Sequence, residues 1–367
     1  MDEDIGQALR VARKTAGLSI AQLARSITFS ESHLRSVENG NRKITHEVVG
    51  AYDKALGLGG ILVDLFVAGQ DDDLKRRTAL SLLGTITAVG VSAPRVIAES
   101  LRESILFAVG ADDWQDITIE YGRRFMIDSP EVFRQRLTGD LLVLRQAIST
   151  SDSSNIQLAA PRLLMLHGMV SANLGNIDDA ARWYRAARLA ADRTGNDQLR
   201  GWVRGREAFR RGYEGAAPSE VLLMSADVQD VEAKLATAQA YARVGERTEA
   251  LRSLRNAHQI HAITDQSETT IYAMPPWRMA LSAAYVYALL GDVNDCESQL
   301  ATVRPPTSVQ RWEPQLEIQR AVALARSGDI IAGIQSADKV MHATPKDERS
   351  AVLIEMYREV KVCAARS

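Results

Sequence analysis

The chain has 367 residues, 46% of them hydrophobic and 25% charged, with only 5% aromatic and ten prolines; it is longer than one typical domain and too poor in aromatics and proline for an all-β sandwich. Forty-four Lys and Arg against 46 Asp and Glu leave a net charge of −2, which excludes a polycation that holds nucleic acid by bulk charge. Two cysteines, Cys296 and Cys363, exclude a disulfide framework and suit a reducing cytoplasm.

The acidic opening Met1-Asp2-Glu3-Asp4 speaks against a secretory signal there. Ile5, Leu9, Val11 and Ala12 form a helical stripe that Gly17 closes. Ser19 is placed to cap a short helix that turns Ala21, Leu23 and Ala24 inward. After Ile27-Thr28-Phe29, Ser30 is placed to cap a helix from Glu31 to Asn39 that stops at Gly40, and Thr45 a further helix through Leu56. Two short helices joined by a tight turn in a small bundle lay the second of them across the DNA major groove. Leu34 and Val37 face the core, so Glu31, Ser32, Arg35 and Ser36 take the outer face, with His33 at its edge. Arg35 can bond a guanine edge in two places and Glu31 can accept from a cytosine amine. Arg42 and Lys43 suit phosphate. The rival reading is a solvated face of a protein-binding domain, because residues 1–57 hold eight Lys or Arg against seven Asp or Glu and are only weakly basic.

Ala16-Gly17-Leu18-Ser19, Gln22-Leu23-Ala24, Ser30, Leu34, Val37-Glu38-Asn39-Gly40 and Arg42-Lys43 together resemble the XRE, or lambdoid phage repressor and Cro, family over residues 5–57. The resemblance implies a double-stranded DNA operator as partner, and a buried ion pair between Arg13 and Glu38 that ties the first helix to the recognition helix. Thr28 stands where the family has Gly or Asn, which implies left-handed strain or a shifted turn. Ile20 stands where the family has a Gln that touches phosphate.

With residues 1–60 assigned to this domain, residues 61–92 read as a linker. Asp71-Asp72-Asp73 followed by Lys75-Arg76-Arg77 is the charge order that suits a connecting helix over Lys75 to Leu83. The same arginines imitate a twin-arginine export signal. They lie behind a folded domain, however, and their apolar run is too short to cross a bilayer, so no membrane partner is expected.

From residue 93 onward the sequence breaks into amphipathic stretches with no lasting strand alternation. Ser92 to Ala108, Trp114 to Ile127 and Glu131 to Ser149 read as hairpin helices. Beyond them, Gly175, Gly245, Gly291 and Gly328 share a register. Seven residues before each stands Gly168, Ala238, Ala284 or Ala321; five after, Ala180, Ala250, Cys296 or Gly333; nine after, Tyr184, Leu254, Leu300 or Ala337. Small residues at fixed offsets let two antiparallel helices approach closely. This pattern resembles the tetratricopeptide repeat, with a period of about 34 residues. Placing a degenerate copy at Gly212 makes the successive steps 37, 33, 46 and 37 residues. Asp347 to Ala365 reads as a helix capping the array. The fold class is therefore all-α, a helix-turn-helix bundle followed by an α-solenoid.

First-helix residues two and six before each Gly point to the concave face of such an array. That rule gives Met169, Leu289 and Val322 together with Asn173, Arg206, Arg210, Gln239, Arg243, Tyr285 and Arg326, and the last seven are read as a ligand-binding line, with donors suited to a peptide backbone and carboxylate. The architecture resembles the peptide-pheromone, quorum-sensing regulators of Gram-positive bacteria, which implies a homodimer and a peptide or small-molecule signal. Alternatives are a repeat-based interaction adaptor and an antitoxin-like repressor that needs no ligand. No cofactor and no enzymatic activity are expected. Phosphate loops, nucleophile elbows and dinucleotide fingerprints are missing from the sequence, and His258 with His261 has no further ligands to complete a metal site.

Overall fold

The computed structural model describes residues 6, 9–10, 13–14, 18–56, 66, 113–150, 153–264, 270–305 and 312–366. The connecting helix expected over 75–83 and the hairpin over 92–108 lie outside them. Every regular element among the described residues is helical. The chain divides into two compact units, Met1–Asp116 with Gln135–Ile156, and Ile117–Arg134 with Gln157–Ser367.

In the first unit, α1 (Ile20–Ser26), α2 (Glu31–Glu38) and α3 (His46–Leu56) follow a helical segment to which residues 6, 9, 10, 13 and 14 belong. Each start has the cap its sequence offers. Ser19 Oγ accepts from the Gln22 N–H while Gln22 Oε1 accepts from the Ser19 N–H, a reciprocal capping box. Ser30 Oγ accepts from the His33 N–H and Thr45 Oγ1 from the Val48 N–H. Leu9, Leu23, Leu34, Val37, Ile44, Val48, Val49 and Tyr52 are buried together as the core. Thr28 introduces no left-handed strain: positive φ among the described residues is confined to glycine.

Helices α4 (Asp113–Arg124) and α5 (Pro130–Thr150) precede the helical hairpins. These are α6 (Ser154–Asn173) with α7 (Ile177–Thr194), α8 (Asp197–Tyr213) with α9 (Pro218–Ser225), α10 (Val231–Arg243) with α11 (Arg247–Ile263), α12 (Pro276–Leu290) with α13 (Val293–Leu300), and α14 (Glu313–Ser327) with α15 (Ile330–Ala343), followed by α16 (Ala351–Arg366). All four glycines of the shared register sit in left-handed turns, with φ of +82°, +83°, +74° and +107° at Gly175, Gly245, Gly291 and Gly328. Each turn is closed the same way: the N–H after the glycine bonds the carbonyl five residues back, as Asn176 to Ser171 and Asp292 to Tyr287. The expected copy at Gly212 is displaced. Gly212 lies inside α8, and the turn is made three residues later at Gly215 (φ +86°), where the Ala216 N–H bonds the Arg211 carbonyl. Pro218, at the first turn of α9, starts the returning helix without needing a donor.

The small residues do what their spacing requires. A Cβ on Gly168 would come within 2.4 Å of the Tyr184 ring, and one on Gly333 within 2.8 Å of the Ala321 carbonyl oxygen. Ala180, Ala250, Ala238, Ala284 and Ala337 are fully buried at the other contacts. One apolar core runs from Ala208 to Val360. Helices α8, α10, α12 and α14 pack each on the next as an inner layer. Helix α16 packs on α14 and α15 and also returns to α8, so it does more than close the last hairpin.

Candidate functional site

The recognition helix is anchored from beneath. Arg13 Nε and Nη2 donate to the two carboxylate oxygens of Glu38 at 2.6 and 2.7 Å, and Arg13 Nη1 donates to the Leu18 carbonyl at 2.7 Å. Both side chains are buried. The Tyr52 hydroxyl, from α3, donates to Glu38 Oε1 at 3.1 Å, a third member that sequence reading missed. Burial, and then the adjacent Glu38 charge, raise the Tyr52 phenol well above its usual range, which keeps it a donor. A Cβ on Gly6 would meet the Val37 carbonyl oxygen at 2.4 Å, so the first helix lies against α2 along its backbone.

With Leu34, Val37 and Glu38 turned inward, Glu31, Ser32 and Arg35 are exposed on the opposite face, and His33 and Ser36 are half-buried beside them. Arg35 is 66% and Glu31 51% exposed, with a loose 3.9 Å ion contact one helical turn apart; a screened pair of this kind is worth little and releases both groups easily. Ser36 Oγ is spent on the Ser32 carbonyl at 3.0 Å. The His33 ring rests against Phe29, with centroids 4.9 Å apart. Arg42 and Lys43 are exposed in the loop after Gly40. Glu31, Ser32 and Arg35 are thus open to solvent along the outer face of α2, and Arg42 and Lys43 in the loop that follows its end. Such a surface can bond base edges and phosphates together.

The seven residues expected to line a ligand path separate into two groups. Asn173, Arg206 and Arg210 line a cavity of about 680 Å³ within the second unit. Asn173 Oδ1 accepts from Arg210 at 3.2 Å, and Arg210 pairs with Glu214 at 3.3 Å. Arg243, Tyr285 and Arg326 are instead engaged with one another and with α16, and Gln239 with α8. Gln239 donates to the Tyr213 hydroxyl at 2.8 Å. Arg243 donates to Glu359 at 2.6 Å, to the Gly212 carbonyl at 2.8 Å and to the Tyr285 hydroxyl at 3.3 Å. Arg326 donates to the other oxygen of Glu359 at 2.7 Å. One carboxylate of α16 therefore ties α10 to α14.

Sequence reading missed Arg278, Gln315 and Gln319 on the cavity wall. The available signal was a polar residue in an otherwise apolar helical stripe, as at Gln319 between Ile318 and Val322. His261 Nε2 is hydrogen-bonded with the Met274 carbonyl oxygen at 2.7 Å. No cluster of three His, Cys, Asp or Glu suited to a metal occurs among the described residues. Burial raises the Cys296 thiol to about 12, which makes it unreactive core. No helix among the described residues is long and apolar enough to cross a membrane.

No curated protein and no solved structure matches the chain. Residues 4–66 match a family of helix-turn-helix domains, and the N-terminal unit of this chain carries that DNA-binding motif.

Proposed function

We propose that the chain is a sequence-specific transcription regulator of the XRE type whose tetratricopeptide-like repeat domain receives a peptide or small-molecule signal and adjusts operator binding. The observation that carries the DNA half is the arrangement of α2. Its inner face is fixed by the buried Arg13–Glu38–Tyr52 bonds, and its outer face leaves Glu31, Ser32 and Arg35 accessible at the end that reads bases. The signal half is supported by the cavity between helices of the repeat domain, whose size falls in the range of small-ligand sites, about 300–1,000 Å³. One weakly basic domain makes few phosphate contacts, so the working form is a cytoplasmic homodimer on two half-sites about one helical turn apart.

The test is fluorescence anisotropy of the full chain on DNA from upstream of its own coding region, over a salt series, with and without a small-molecule extract of the source cells. Specific binding that the extract shifts is expected. Binding equal to that on scrambled DNA would replace this reading with the adaptor reading.

A further inference from the structure

The cavity of the repeat domain has a charge pattern that specifies a class of ligand. Its walls come from the 125–131 turn, α6, α8, α12, α14 and the 344–353 segment. Three of its arginines are almost wholly buried: Arg206, Arg210 and Arg278, at 1%, 7% and 5% exposure. They have two buried carboxylates between them. Glu214 serves Arg210 and also accepts from the Tyr184 hydroxyl at 2.7 Å. Glu232 serves both Arg206, at 2.5 Å, and Arg278, at 3.3 Å.

The arginines are otherwise bonded to neutral groups. Arg206 Nη2 donates to the Ile271 carbonyl at 2.6 Å, and Arg278 Nη1 donates to the Ile271 and Ala273 carbonyls. The Arg206 Nε lies 2.5 Å from Glu232 Oε2, so this carboxylate is divided between Arg206 and Arg278. Asp230 stands nearby as the cap of α10, bonded to the Glu232 and Ala233 N–H groups. Burial, with the Glu232 charge behind it, lifts Asp230 to about 7, so it supplies only part of a charge at neutral pH. Glu131 and Glu348 also line the cavity but are exposed to water, where their fields are screened.

A second, independent feature faces the same space. Gln319 on α14 is 1% exposed and its Oε1 has no hydrogen-bond partner; the Nε1 of Trp312, on the same wall, has none either. Buried polar atoms of this kind are costly unless something bonds them. Between these polar walls lie Met169, Phe209 and Leu281. An extended chain cannot continue from here along α10, α12 and α14, because the Glu359 bonds of α16 fill that course.

On the reading that the repeat domain is a sensor, we propose that its ligand is a compact organic acid with an apolar body, held by its carboxylate on Arg206 and Arg278, by its body on Met169, Phe209 and Leu281, and by a polar substituent on Gln319. A carboxylate supplies negative charge to three buried arginines that have Glu214 and Glu232 between them. A neutral molecule of the same shape leaves that charge unmet, and discrimination between the two follows.

The experiment is calorimetric titration and thermal melting of the full chain with 1-naphthoate and decanoate, each against its neutral amide. The acids are expected to bind and raise the melting temperature, and the amides to bind at least about tenfold more weakly. Leu281→Trp, which fills the cavity, is expected to abolish binding. Glu232→Gln removes the competing carboxylate and is expected to tighten acid binding several-fold while lowering the ligand-free melting temperature, a gain that misfolding cannot imitate. Acids bound no better than amides, or acid binding unchanged in Leu281→Trp, would overturn the proposal. If peptides from the cell extract alone bind and shift the DNA complex, the ligand class assigned here is wrong while the sensor reading stands. If the extract leaves the DNA complex unchanged and no acid binds, both fall.

Discussion

In the helix-turn-helix, one guanidinium meets one carboxylate fork to fork, and Leu18 and Tyr52 add one further bond each. In the repeat domain, two guanidiniums share the single carboxylate of Glu232. Both clusters are buried, and burial of an ion costs several kcal/mol before its partner returns any of it. The first cluster pairs one cation with one anion and acts as a fastener between two helices. The second holds more positive charge than its own carboxylates neutralise. Burial and the Arg206 cation together lower Arg278 to about 10, a direction not seen for Arg13, whose bonds to Glu38 raise it.

The sharpest way to break this contrast is to remove one acid. Glu38→Ala strands Arg13 and is expected to cost about 3–5 kcal/mol, read as lost hydrogen-exchange protection in α2 and α3 of the full chain. Arg206→Met leaves Glu232 with Arg278 still beside it and should cost only about 1–3 kcal/mol. Equal losses would show that the two clusters are alike. Glu359→Gln withdraws the carboxylate that Arg243 and Arg326 share, and is expected to cost about 1–3 kcal/mol, concentrated in the exchange rates of residues 351–366. Arg35→Ala touches neither cluster. It should cost about 1–3 kcal/mol in operator affinity and relax base choice at one position, with melting unchanged.

Asp230 sharpens the contrast through pH. Its carboxyl titrates near 7 in the folded chain, mainly through burial, against about 3.9 when unfolded. Its contribution to stability is therefore fully present below about pH 4 and is lost as pH rises towards about 7. His167, which burial holds down to about 4, acts in the opposite sense over part of that window. The difference between wild type and Asp230→Asn isolates the aspartate: the wild type should lose melting temperature relative to the variant as pH rises from about 4 to about 7, and a constant difference across that range would remove the aspartate's role. The smallest effect is expected from Arg42→Ala or Lys43→Ala, which should weaken all DNA sequences alike and reduce the salt slope by about 1.

The DNA-binding unit was legible because its signals are local. Ser19, Ser30 and Thr45 mark helix starts and Gly40 a helix end within a few residues of the structure they specify. Tyr52 was not legible as the third member of the Arg13–Glu38 bonds, since nothing near it in sequence indicates that its hydroxyl reaches across to α2. In the repeats, the shared register located four turns correctly, because packing demands small residues at fixed offsets. It misplaced the fifth by preferring the even spacing of Gly212 over the local Glu214-Gly215 turn with Pro218 beyond it. Arg206 and Arg210 were selected through that displaced glycine and nonetheless line the cavity. The engagement of Arg243 by Glu359 joins residues 116 apart. No periodicity encodes a contact of that range, so the filled course of the inner layer was invisible in the sequence.

That long-range contact changes how the array must be built. In an open solenoid each hairpin touches only its neighbours, so folding can start anywhere and spread, and the first-made hairpins can settle while later ones are still being synthesised. Here α16 packs against α8 and bonds α10, elements translated well before it. At about 5–20 residues per second, the ribosome leaves α8 and α10 waiting several seconds for the helix that completes their inner faces. During that interval Arg243 has neither Glu355 nor Glu359 to pair with. The inner layer is thus open to off-pathway association until α16 has been made.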